Sequence, residues 1–112
     1  MIRINVDNAY MVILDEKLLK TFRGPGGCAW CGKWSLRREA HHIFCRGIGG
    51  GSRLDHRYNL ISLGPWYSCT CHADAQANRI TKADLLALVS AREGVLQSDI
   101  EDEINRLRRT PR

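Results

Sequence analysis

The chain has 112 residues, 44% of them hydrophobic and 26% charged, with a formal net charge of +5 and a pI of about 9.2. This is one domain's length with a modest core, and the composition excludes a disordered or collagen-like chain. No window is apolar enough to span a bilayer, and Asp7, Asp15 and Glu16 break up any secretory leader, so a cytoplasmic setting is expected.

In chain order, residues 2–6 alternate apolar and polar, which predicts a short strand. Asp15 is placed to cap a helix running through Lys20, with Leu14, Leu18 and Leu19 as its apolar stripe. Gly24-Pro25-Gly26-Gly27 predicts a turn. After Cys28-Ala29-Trp30-Cys31-Gly32, the stretch from Lys33 to Ile43 reads as extended, and Gly47, Gly49, Gly50 and Gly51 as a permissive loop. Asn59-Leu60-Ile61-Ser62-Leu63 is a second apolar stretch, ended by Gly64-Pro65. A helix is expected to start near His72 and run toward Asn78. Thr81 to Asp84 then forms a cap, Leu85, Leu86, Leu88 and Val89 give a helical face, and Gly94 ends it. Ser98 with Glu101 fits a capping box for a last helix bearing Ile100, Ile104 and Leu107.

Residues 28–78 hold +3 of the +5 charge, all five cysteines and all four histidines. Five thiols cannot all pair within the chain, and in a reducing compartment a Cys-x-x-Cys reads as a metal site before a disulfide. Cys28 and Cys31, followed by Gly32, have the form of a zinc knuckle. Two thiolates bind one ion from a tight turn, and glycine relieves the backbone where amides turn toward sulfur. Two further ligands are needed. Cys69 and Cys71 are the first candidates although their spacing is Cys-x-Cys; Cys45 or a histidine is the substitute, and Cys45 otherwise reads as a free buried thiol. A thioredoxin-like redox pair lacks its βαβ context.

His41 and His42 are adjacent, and His72 directly follows Cys71. Phosphodiester hydrolysis needs a base to activate water, a cation to stabilise charge, and a group that holds the base. Imidazole, with an unperturbed pKa of about 6.5, serves as base or as ligand. Neighbours on a strand face opposite sides, so His41 and His42 share a site only where the strand ends or bends. Taken alone, the pair reads equally as surface or zinc-adjacent residues.

Ala40-His41-His42-Ile43, then Gly47-x-Gly49-Gly50, then Asp55-x-x-x-Asn59-Leu60-Ile61-x-Leu63, then Cys71-His72, resembles the HNH, or ββα-metal, nuclease motif. With Cys28-x-x-Cys31 upstream it is similar to the zinc-bearing branch found among bacterial and phage HNH proteins. The resemblance implies an α+β fold. A small ββα-metal core with a four-cysteine knuckle (residues 28–78) would carry a helical extension over 79–112, all in one domain. It implies an endonuclease in which His41 and His72 bind a catalytic Mg²⁺ or Mn²⁺, His42 activates water and Asn59 orients His42, beside a structural zinc on Cys28, Cys31, Cys69 and Cys71. The implied partner is nucleic acid, DNA ahead of RNA, in the cytoplasm of a bacterial or phage-infected cell. The gap from Asn59 to His72 is thirteen residues where many relatives have about nine, and Gln76 stands where some carry a further histidine. The alternative is a degenerate HNH domain that binds nucleic acid or a phage or recombination partner without cutting.

Arg37, Arg38, Arg46, Arg53 and Arg57 flank these motifs and are candidates for phosphate contacts, each weighed against a solvated surface role. His56 reads as a loop residue, with a phosphate contact as the alternative. Trp30, Trp34 and Trp66 read as core or zinc-covering residues before base-stacking platforms. The C-terminal helices read as a cap on the core, with docking of a partner or second copy as the alternative.

Overall fold

A computed structural model describes residues 2–5, 10–44 and 54–109, with side chains from residue 13 to 44 and from 54 to 108. The fold is α+β: the described residues form three two-stranded antiparallel sheets and four α-helices.

The first hairpin pairs β1 (Ile2–Asn5) with β2 (Tyr10–Ile13). The alternation over 2–6 predicts β1, whereas the continuous apolar run of β2 carries no period and is not legible as a strand. Helix α1 (Glu16–Arg23) starts where Asp15 accepts the Leu18 amide at 3.0 Å, as expected of this cap, and runs three residues past Lys20. The glycine turn becomes β3 (Gly26–Gly27), which pairs with β4 (Trp34–Ser35) around the cysteine turn.

The central hairpin joins β5 (Glu39–His42) to β6 (Leu60–Leu63), with His41 opposite Ile61 and His42 opposite Leu60. All four β6 residues are buried because the hairpin is covered on both faces. Leu60 packs with Leu19 and Phe22 of α1, and Ala40 joins them. Ile61 and Leu63 point the other way, into a core with Leu85, Leu86, Val89, Ile100 and Ile104. The two-residue period of the strand thus divides the protein into two apolar clusters.

Helix α2 (Cys71–Gln76) is short, and in the turn that follows it Asn78 takes a φ of 61°, which suits asparagine. Helix α3 (Lys82–Glu93) carries the expected Thr81–Asp84 capping box, with Gly94 in the left-handed region at its end. Helix α4 (Gln97–Arg109) begins one residue before Ser98. The Leu96 carbonyl accepts the Asp99 and Ile100 amides, so Ser98 lies inside the first turn and the expected Ser98–Glu101 box does not form. No helix among the described residues is long and apolar enough to cross a membrane.

Candidate functional site

Two side-chain clusters carry the chemistry. The first is a set of four thiols. The β3–β4 hairpin presents Cys28 and Cys31 from a turn closed by the Cys28 amide on Lys33 and the Gly32 amide on Cys28. Gly32 has φ of 80°, so glycine after the second cysteine meets a backbone need. Cys69 and Cys71 come from the turn leading into α2. The ligand atoms of Cys28, Cys31, Cys69 and Cys71 all lie within 4.8 Å of one another. A tetrahedral ion such as zinc, with bonds of about 2.3 Å to sulfur, fits such a cage. The expected pairing of Cys28-x-x-Cys31 with Cys69-x-Cys71 therefore forms, and Cys45 lies outside the described residues.

The backbone around the Cys28 sulfur favours the ligand state. Burial opposes ionisation of Cys28, yet the amides of Cys31, Gly64 and Trp30 and the neighbouring Cys31 side chain bring its thiol down to about 7. Burial pushes Cys69 and Cys71 up, and Cys31 and Cys28 beside them add to it. Four thiols this close resist losing protons together until a cation shares the charge. Gly64 has a second role: a Cβ there would sit 2.4 Å from the Cys69 sulfur. Sequence reasoning takes Gly64 only as the end of a strand.

The second cluster is imidazole and carboxylate. His41 and His42 lie at the last two positions of β5, in register with Ile61 and Leu60, and both line one open cavity of about 860 Å³. His72, from α2, lines the same cavity, with its ring centroid 5.1 Å from that of His41 in an edge-to-face arrangement. Burial, reinforced by His72 and His42, lowers the His41 pKa to about 4, keeping that imidazole neutral. His72 Nδ1 lies 2.7 Å from the Glu39 carboxylate. Glu39 and His41 are two apart on one strand face, a signal that alternation could have supplied.

His42 is held by Asp55. Its Nε2 lies 2.7 Å from Asp55 Oδ1, and the Asp55 side chain is fully buried. The other Asp55 oxygen accepts the Asp15 amide at 2.8 Å, tying the carboxylate to the start of α1. This corrects the expectation that Asn59 orients His42. The buried Asn59 amide accepts from Phe44 N–H and donates to the carbonyls of Phe44 and Leu54. Asn59 thus ties Phe44 to Leu54 through its side chain.

The arginines separate by what they touch. Arg57 donates a two-pronged pair of hydrogen bonds to Glu93, each 3.1 Å, and Arg38 Nε donates to the Gly24 carbonyl at 2.9 Å. Both are committed within the chain. Arg37 is exposed, and Arg46 and Arg53 lie outside the described residues, as do Gly47 and Gly49–Gly51. Arg92, unremarked in the sequence, donates to the Leu60 and Arg57 carbonyls and lies over the Phe22 ring. His56 accepts the Tyr58 amide and caps the turn Arg57–Asn59, a loop role as expected. Trp30, Trp34 and Trp66 are not core residues: all three rings are exposed. Comparison of the chain with protein-family models, curated proteins and solved structures finds no match.

Proposed function

We propose that this chain is a metal-dependent endonuclease of the HNH type that hydrolyses nucleic-acid phosphodiester bonds, DNA ahead of RNA. The observation that carries the reading is the convergence of His41, His42 and His72 on one open cavity, with carboxylates against two of the three rings.

The roles follow from the contacts. An Nε2–H donated to Asp55 fixes the His42 tautomer with its lone pair on Nδ1, and the buried carboxylate favours the imidazolium formed when the ring takes a proton. His42 then accepts the proton of a water whose oxygen attacks phosphorus. The bond to the leaving 3′ oxygen breaks, and that oxygen is protonated from solvent. His41, kept neutral, and His72, with Nδ1 turned to Glu39, offer ring nitrogens of the kind that hold a divalent cation, here Mg²⁺ or Mn²⁺. When bound, such an ion supplies charge stabilisation at the phosphate and at the leaving oxygen. Zinc on the four cysteines is the structural partner of this chemistry. Of the described arginine candidates, Arg37 is the exposed one that remains for a phosphate contact, Arg38 and Arg57 being committed within the chain.

Gln76 on the cavity wall favours a second reading, a domain that holds nucleic acid without cutting, because an amide is a poorer cation ligand than imidazole. Plasmid incubated with Mg²⁺ or Mn²⁺ separates the two. Nicking by wild type that His42→Ala abolishes supports the nuclease. Salt-sensitive binding with no nicking under either metal supports the binding domain.

A further inference from the structure

Among the described residues, the exposed large apolar side chains are Trp30, Trp34, Leu36, Trp66, Tyr67 and Leu96. All but Leu96 lie on the two segments that carry the cysteines. Tryptophan normally buries its large ring, so their gathering here calls for a reason.

The placement is specific. Trp34 pairs across the β3–β4 hairpin with Gly27, which has no side chain to cover it, and Trp34 is 62% exposed. Trp30 sits between Cys28 and Cys31. Trp66, 83% exposed, stands edge-to-face with Tyr67 at 5.5 Å, three residues before Cys69. The two segments meet at the thiols, since the sulfurs of Cys31 and Cys69 lie within 4.8 Å of one another. The thiol cluster thus joins two segments that together carry three exposed tryptophans and an exposed tyrosine.

Charge decides what covers this face. Neither 24–38 nor 64–70 contains an acidic residue, while Lys33 and Arg37 interleave with the rings. A filled four-thiolate zinc site carries a formal charge of about −2, which Lys33, Arg37 and Arg38 offset. Exposed aromatic rings interleaved with cations and free of carboxylates suit nucleobases, whose π-faces stack irrespective of sequence. An aliphatic protein contact has no need of that composition.

We propose that the cysteine knuckle is a stacking platform for unpaired bases, with Trp34 and Trp66 as its principal rings, so that the protein engages single-stranded nucleic acid. This rests on the reading of the chain as a nucleic-acid enzyme and adds a substrate preference to it. His72 follows Trp66 by six positions, a span of at most about 22 Å, so a strand seated on the platform reaches the histidine cavity within a few nucleotides. Stacking carries the affinity, and its dependence on salt is shallow compared with that of a phosphate-led binder.

The test uses zinc-loaded protein without added Mg²⁺ and an oligo-dT of about a dozen nucleotides. Tryptophan fluorescence and oligonucleotide anisotropy are followed together. Wild type is expected to bind with quenching. The double variant Trp34→Ala, Trp66→Ala is expected to bind at least tenfold more weakly, roughly the loss of one stacked base, while keeping its zinc. The double Trp→Phe variant is expected to keep most of the binding. Unquenched wild type, or a double alanine variant that binds as tightly as wild type, overturns the platform. So does wild-type self-association that the alanine variant loses, which would make the face a protein contact. Plasmid nicking in Mg²⁺ reports the nuclease separately. Nicking without quenching sinks the platform alone, and quenching without nicking sinks the nuclease alone.

Discussion

The thiol cluster and the histidine cavity sit one residue apart in the sequence, at Cys71 and His72, and are built on opposite principles. The thiols close on one another, and backbone amides point at sulfur. The imidazoles line an open cavity, and two of the three rings are braced by carboxylates. A closed soft-donor cage suits an ion that stays, whereas an open site with braced imidazoles suits one that exchanges and leaves room for substrate. The lesson is that one short turn serves both: Cys71 fixes the start of α2, and that start aims His72.

If this division is right, perturbing the two clusters should give different losses. Stripping the metal with a strong chelator, or Cys71→Ser, should cost the fold itself, on the order of 10 kcal/mol if the site behaves as structural zinc sites do. Circular dichroism should show the helices melting, and a chain that stays folded and metal-free would break the comparison. Asp55→Asn should keep zinc and lower nicking about a hundredfold or more, because an amide has one acceptor oxygen for the two donors, His42 and the Asp15 amide, and its NH2 must oppose one of them. Its steady-state rate against plasmid, compared with zinc content on the same sample, checks this. Gly64→Ala should reverse that pattern. Its Cβ would press on the Cys69 sulfur, so competition with a chelator should reveal weaker zinc binding, by about tenfold or more, with cutting by the zinc-loaded fraction unchanged.

The smallest effect belongs to Arg57. Its partner Glu93 is held below the ordinary glutamate range, first by the Arg57 hydrogen bonds and then, against the cost of burial, by Arg92. The contribution of the pair is therefore present above that range and is lost as pH falls through the lowered Glu93 value. Arg57→Ala should cost at most about 1 kcal/mol near neutral pH, and nothing once Glu93 is protonated. Thermal denaturation at neutral and acid pH measures it. Nicking should stay within about twofold; a large loss would return Arg57 to the substrate.

Much of the metal cage was legible in the sequence because short spacings and a following glycine impose local geometry. The caps of α1 and α3 were legible for the same reason. The central hairpin emerged from an ordered motif, and His72 fell at the start of α2 as that motif implies. What escaped depends on distant packing. Asp55 stands in the motif without a role of its own, because nothing local announces a buried carboxylate facing a ring thirteen residues earlier. Asn59 was given the work of Asp55, since the pattern records that an amide is needed but not which bonds it makes. The tryptophans read as core or zinc-covering residues by their ordinary habit, and only the fold reveals that their rings stand exposed.

The central claim is that one ion holds the fold while the histidines do chemistry. Zinc analysis and plasmid nicking in Mg²⁺ or Mn²⁺, run on the same preparations of wild type and His42→Ala, test it most directly. One zinc per chain in both proteins is expected, with nicking by wild type and a loss of about a hundredfold or more in the variant. Equal cutting by His42→Ala, or loss of zinc along with activity, would contradict it.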